Sequence, residues 1–365
     1  MREENKQMRI LSAIGIILVV AGHLGYSVLD VGGLFPYYSF HVFIFLFVSG
    51  YFYREEAEQQ LLRYIGKKCK ALLLPYFIWN LVYGILAVLL HRTGFSIGGE
   101  LTLWNLFIEP FVSGHQFLYQ FPAWFVPALF LIEVLNVLGR KVLSFLHLKK
   151  EWLIFAVSLL LGIATVALAK GGHVWGYYKF PGRLLFMMPG FQLGRIYKEK
   201  LENRVNKISD GRYFFVVVGV QLLTTICCRG LAFSAVWVTG FANAAFIPYL
   251  TVVTGIAFWL RISDWISRIP SACSWFMEIG RHTYAIMMHH VFWFFVVNSI
   301  CYLLSRTTVW CAEFDTAQFF SDINYVYAID GSDVGKWFYL ALGTGMPLLL
   351  ANGTQYIVGK KISRK

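Results

Sequence analysis

The chain has 365 residues, of which 58% are hydrophobic, 18% aromatic and only 14% charged, and its formal net charge is +12. An ordinary soluble domain carries about 25% charged residues, so the excess apolar surface here has to be covered by lipid. The positive charge does not point to nucleic acid, because the basic residues sit in short clusters between apolar runs and form no continuous patch.

A helix needs about 20 apolar residues to cross a bilayer. In chain order such windows fall near 10–29, 36–53, 71–91, 121–139, 152–170, 181–197, 213–230, 240–260, 283–304 and 337–358. The expected fold is therefore all-α integral membrane, with about ten transmembrane helices in one bundle. Residues 1–365 read as a single polytopic domain, without a linker, a low-complexity tract or a fixed-period repeat. The first window is too long for a signal-peptide core and is followed by no small-residue cleavage site, so it is expected to stay as the first helix.

An even number of spans puts both termini on one side. The N-terminus, 54–70, 139–151, 195–212, 261–282 and the C-terminus together hold 25 Lys and Arg residues, against 7 elsewhere. Positive charge marks the cytoplasmic side, so both termini are expected there. The long loops of the opposite side, 92–120 and 305–336, are aromatic and nearly free of basic charge. Six cysteines are present, with no C-x-x-C and no partnered histidine spacing, so no zinc site or disulfide framework is expected and no metal is called for. Only Cys301 and Cys311 are placed to pair outside the membrane.

An ionisable group in hydrocarbon costs several kcal/mol unless it is paired or faces a wet cavity, which makes each one a candidate for function. His23 follows the run AIGIILVVAG, flanked by Gly22 and Gly25, which permit close approach of a helix or ligand. His41 stands at a similar depth in the second span, which runs back from Pro36. Two imidazoles at one level suit proton transfer near neutral pH; hydrogen-bonded structural histidines are the bland alternative. In MMHHVFW, His289 and His290 point about 100° apart, so at most one faces the shared cavity, and His289 is the expected one. Glu133 in FLIEVL is either a proton partner or a polar contact near the cytoplasmic end. In the loop 92–120, Glu100, Glu109 and His115 are the polar candidates beside aromatics suited to stacking on sugar rings or to the bilayer interface.

The segments RILSAIGIILVVAGHLG, FHVFIFLFVSGYFY, KKCKALLLPYFIWN, FPAWFVPALF, FMMPGFQLGRIY and EIGRHTYAIMMHHVFW occur in an order that resembles the membrane acyltransferase-3 family, over nearly the whole chain. That family transfers acyl groups to surface glycans and related acceptors. The resemblance implies that His23 is the catalytic group, and it matches His41, with Ser49, Gly50 and Tyr51, to the F-H-x-x-x-F-x-x-S-G pattern. It matches Lys67, Lys68 and Lys70, with Pro75 and Tyr76, to the basic group before L-L-x-P-Y, Trp124 to the W-F motif and His289 to the late histidine. One position departs: the family's basic residue eleven before the first-helix histidine is Ser12 here, while Arg9 lies fourteen before it and is the candidate replacement.

The resemblance further implies a cytoplasmic thioester donor, acetyl-CoA or another acyl-CoA, and a glycan or glycolipid acceptor on the other side of a bacterial plasma membrane. Phosphates need basic partners, so Lys67, Lys68, Lys70, Arg195 and Arg281, with His289, are the candidate donor-binding residues, although each cation also serves as topogenic charge. Trp124, Glu100 and His115 are the candidate acceptor-binding residues. His23 acts either as general base on an acceptor hydroxyl or as a nucleophile through an acyl-histidine, with His41 or Trp124 orienting it and Arg9 as the third catalytic candidate. Two other readings fit the pattern: a proton-coupled small-solute transporter or flippase, and a sensor or anchoring module without chemistry.

Overall fold

The computed structural model describes residues 4–25, 29, 31–174, 179–328 and 333–362, with side chains up to 353 in the last helix. Helix is the dominant regular structure among these residues, and the nearest approach to a strand among them is one isolated bridge between Ser234 and Thr239. The long helices are α1 Lys6–Gly22, α2 His41–Phe52, α3 Leu61–His91, α4 Leu118–Phe145, α5 Glu151–Lys170, α6 Lys179–Ile196, α7 Asp210–Cys227, α8 Ile247–Ser267, α9 Pro270–Arg281, α10 Thr283–Thr307 and α11 Val334–Ile362. Among the described residues six of them, α3, α4, α5, α7, α10 and α11, are long and apolar enough to cross a membrane. Helices α1, α2, α6 and α8 coincide with the other four expected windows; α1 and α2 are shorter, and α6 carries Lys179, Arg183, Pro189 and Arg195.

Several limits move. Helix α3 begins ten residues before the expected window, because the stretch from Leu61 continues through a wider turn at Cys69–Leu73 into Leu74–His91. Pro75 stands at the start of that last segment, where its missing N–H costs nothing beyond the looser turn. Helix α8 lies further along the chain than 240–260, since Pro248 sits in its first turn and the preceding stretch forms turns. Helix α9 was part of an expected connection; it is amphipathic and buries Cys273, Met277, Ile279 and Gly280.

Helix α1 is apolar on every side and is buried accordingly, in contact with α2, α8, α9, α10 and α11. Small residues set the tightest crossings. Gly50 of α2 and Gly194 of α6 face each other's backbone so closely that a Cβ on either would fall 1.9 Å from a carbonyl oxygen, that of Phe191 or Phe47. A Cβ on Gly280 would fall 2.3 Å from the Arg9 carbonyl, which fixes how closely α9 lies on α1.

Most of the ion pairs gather at one end. Arg281 pairs with Glu4, Arg195 with Glu55 and Glu199, Lys149 with Glu58, Arg140 with Glu151, and Arg261 with Asp210. These join the connections rich in Lys and Arg into one basic end of the bundle. The loop 92–120 belongs to the opposite, aromatic end and is not a plain loop: it contains the helical turns Leu103–Phe107 and Glu109–Val112. Cys301 and Cys311, expected as the only pairable cysteines, are both free thiols.

Candidate active site

His23 is the residue that ends α1, with φ −78° and ψ −4°, and its N–H still returns to the Val19 carbonyl. Gly25 follows at φ +89°, a left-handed conformation that glycine adopts without a Cβ penalty, so the chain leaves the helix here and the imidazole stands at its tip. It lines a cavity of about 410 Å³ at the aromatic end, together with His41, His115, Trp124, Phe121 and Trp237. The Phe121 edge meets the His23 ring with centroids 4.8 Å apart.

His41 opens α2. Its Nδ1 donates to the Tyr37 carbonyl, and since a carbonyl only accepts, the Nε2 of a neutral His41 keeps its lone pair. The Tyr38 hydroxyl donates to the Gly22 carbonyl at 3.0 Å while its ring meets His41 edge-on at 5.1 Å, which ties the end of α1 to the start of α2. The two histidines thus share one cavity, as their depth implied.

Neither histidine of the late pair lines the histidine cavity, and it is His290 rather than the expected His289 that lies against His23. His289 turns away to the Tyr83 hydroxyl, 2.8 Å from its Nδ1, and to Trp79 at 4.3 Å, and it does not line the cavity of His23. His290 lies against His23, ring centroids 5.3 Å apart and tilted by 30°. It is 0% exposed and its Nδ1 donates to the Ile286 carbonyl at 2.8 Å. Its Nε2 therefore carries a lone pair, and that buried atom has no hydrogen-bond partner among the described residues. With neighbours 100° apart, the choice between 289 and 290 depends on the rotation of α10, which its own residues do not encode.

His115 is brought in by a polar knot. Asn80 donates to the carbonyls of Asn105 and Leu106 and accepts from Gln116 and Gln120; Gln116 also donates to the Tyr76 hydroxyl at 3.1 Å. This is what Tyr76 of the L-P-Y segment does structurally: it holds the loop that carries His115. Burial, with Arg183 and Lys179 nearby, pushes His115 down to about 4. The same two cations brace the aromatic wall. Arg183, 2% exposed, donates to the carbonyls of Val236, Val112 and Ser113 and stacks over Trp124, and the Lys179 ammonium lies 3.6 Å from the Trp237 ring centroid. Trp237, Lys179 and Arg183 did not stand out in the sequence, because an outer-end cation and a loop tryptophan look like interface residues. Glu100, by contrast, is exposed and lines neither large cavity; its carbonyl accepts from Asn105.

A second cavity, of about 730 Å³, opens at the basic end and is lined by Arg9, Arg54, Arg63, Lys67 and Lys68 with Tyr64. Behind two of its wall residues, Glu133 is 1% exposed and accepts from Lys68 Nζ at 2.7 Å and Ser49 Oγ at 2.5 Å. That settles Glu133 as a polar contact of the basic cavity and gives Ser49 of the S-G-Y motif a partner. Arg9 and Ser12 both line this cavity, and Arg9 also pairs with Glu4 and donates to the Gly280 carbonyl. Fourteen residues of helix rise about 21 Å, so Arg9 and His23 lie at opposite ends of α1 and Arg9 belongs with the other cations. Three of the other expected donor contacts lie elsewhere. Arg195 is held by Glu55, Glu199 and the Tyr53 carbonyl, Arg281 by Glu4 and Glu278, and Lys70 is not on the cavity wall.

The arrangement offers one cavity suited to phosphates and another suited to moving a proton, both bordered by α1. Comparison with curated proteins and with solved structures returned no match. The family model described as an acyltransferase domain matches residues 5–314. That span contains His23, His41, His115, His290 and every cation of the basic cavity, and the chain belongs to the acyltransferase-3 family of acyl-transferring membrane enzymes.

Proposed function

We propose that the protein moves an acyl group from acyl-CoA, most simply acetyl-CoA, to a hydroxyl of an extracytoplasmic glycan or glycolipid. The observation that carries this reading is the pairing of a cationic cavity with a histidine cavity along the single buried helix α1. Arg9, Arg54, Arg63, Lys67 and Lys68 supply the donors that coenzyme A phosphates need, and the adjoining Tyr64 and Phe52 walls suit its pantetheine arm. The proposed topology has about ten spans with both termini cytoplasmic in a plasma membrane, supported by the collection of basic connections at one end.

At the histidine cavity, neutral His23 removes the proton from the acceptor hydroxyl as its oxygen attacks the thioester carbon. The carbon–sulfur bond breaks, and the leaving thiolate takes the proton from the imidazolium. Such base catalysis contributes about 10² to 10⁴ in rate. His290 is a positioning residue: with its Nδ1–H committed to Ile286, its unpartnered Nε2 is the acceptor available to a His23 N–H, and a His23 turned to it keeps the other nitrogen as the base. Trp124, Trp237 and His115 form the acceptor wall, where aromatic faces suit sugar rings.

The test is release of free thiol from acetyl-CoA by purified protein in detergent. Acyl transfer or slow thioester hydrolysis proceeds without any gradient. A proton-coupled transporter shows neither, and that result would sink the enzyme reading.

A further inference from the structure

The two cavities have three wall residues in common: Phe45, Phe125 and Met287. Each stands within one helical turn of a residue in or against the histidine site. Phe45 is one turn beyond His41 on α2, Met287 is three residues before His290 on α10, and Phe125 follows Trp124 on α4. The Phe45 and Phe125 rings lie 5.8 Å apart at 55°, and the tip of Phe45 reaches α1 at Gly15, where a Cβ would come within 3.3 Å of its Cζ. Along α1 the boundary falls between Ser12, on the basic cavity, and Val19, on the histidine cavity, a rise of about 10 Å.

The chemistry changes sharply across this layer. Below it are cations, Ser49 and Thr283; above it are imidazoles and tryptophans; the shared residues themselves have no group that hydrogen-bonds strongly. A phosphate or a hydrated ion loses its partners there, while an uncharged thioester and its acyl group do not. Two aromatic rings and one thioether also give the layer a definite width that a flexible methionine adjusts only locally.

We infer that Phe45, Phe125 and Met287 form an apolar septum that selects the acyl group by size, admitting a short acyl thioester to His23 and holding back a long one. The inference rests on the acyltransferase reading and adds to it the residues that decide which donor is used. A hydrophobic constriction discriminates by about 10- to 200-fold per methylene, so acetyl is favoured over hexanoyl by at least that margin in the wild type.

The experiment compares kcat/KM for acetyl-CoA and hexanoyl-CoA in wild type, Phe45→Ala, Phe45→Leu, Met287→Ala and Met287→Val, with affinity for free coenzyme A measured alongside. Enlarging the septum should raise the hexanoyl-to-acetyl ratio at least about 10-fold while coenzyme A affinity stays as in the wild type. The milder Leu and Val variants keep the test open if an alanine variant does not fold. A wild-type preference for hexanoyl, or an unchanged ratio in folded variants that still turn over acetyl-CoA, overturns the septum alone. Absence of thioester turnover in the wild type overturns the acyltransferase reading and the septum with it.

Discussion

His290 touches His23 ring to ring at 5.3 Å, yet its own Nδ1 is spent on the Ile286 carbonyl, which leaves a buried lone pair beside the imidazole at the tip of α1. A buried acceptor of this kind orients the group next to it. His290→Phe should therefore lower kcat by about 10²-fold with little change in KM, because it removes orientation and leaves binding intact. His290→Gln, which restores an acceptor, should recover part of the loss. A purely structural histidine would instead lower the amount of folded enzyme and leave kcat per folded molecule unaltered.

Glu133 is buried behind Lys68 and Ser49, two wall residues of the basic cavity. Removing one partner of such a pair leaves an uncompensated charge, whereas removing both is often neutral. Lys68→Met should destabilise the protein by about 3 kcal/mol or somewhat less, since the lysine side chain is 31% exposed. The double variant Lys68→Met, Glu133→Met should recover most of that in thermal unfolding. Both should weaken coenzyme A binding, which separates the lysine's effect on stability from its effect on the donor.

His115 has its pKa pushed from 6.5 down to about 4 by burial, with Arg183 and Lys179 adding to the effect. The unfolded chain takes up a proton near 6.5 while the folded one resists until about 4. The stability contributed by neutral His115 is thus complete above the unfolded value and is lost as the pH falls through the window between the two. Melting temperatures recorded between pH 7 and pH 4 should decline less steeply for His115→Gln than for wild type. Equal slopes would show that His115 is not held neutral.

At the crossing of α2 and α6, Gly50→Ala or Gly194→Ala drives a methyl into a carbonyl oxygen of the other helix. Neither variant should yield monodisperse protein, because the whole backbone would have to move. Gly66→Ala is the control: nothing lies within 4 Å of its added methyl, and losing a helix glycine should stabilise by about 0.5 to 1 kcal/mol.

Much of this molecule is legible in its residues because a membrane leaves few choices. Helices are the only open-ended structures that satisfy their backbone in lipid, so apolar windows locate them well. Their limits shift where local chemistry overrides hydropathy, as at the wide turn Cys69–Leu73 and at Pro248. His23, His41, His115 and Trp124 were recognisable one at a time, and they meet in one cavity because α1, α2 and the loop before α4 converge there. The rotation of α10 about its axis is not legible, and it turns His290 rather than His289 against His23. Nor was the division of labour among cations: the sequence displays Arg9, Lys67, Lys70, Arg195 and Arg281 alike, and carboxylates distant in the chain hold Arg195 and Arg281. Glu100 is an acceptor candidate as a polar residue of an aromatic loop, but Asn80 folds that loop down through Gln116, and Glu100 stays exposed and off the cavity.

The most direct test of the central claim is a single comparison of wild type with His23→Ala, purified in the same detergent and matched for folding by thermal unfolding and coenzyme A affinity. Radiolabelled acetyl-CoA is supplied, and free thiol and labelled acceptor are both counted. The account predicts that both proteins bind coenzyme A alike and that the variant releases thiol about 10² to 10⁴ more slowly. Equal thiol release from the two would contradict it, by showing that the imidazole at the end of α1 takes no part in the chemistry.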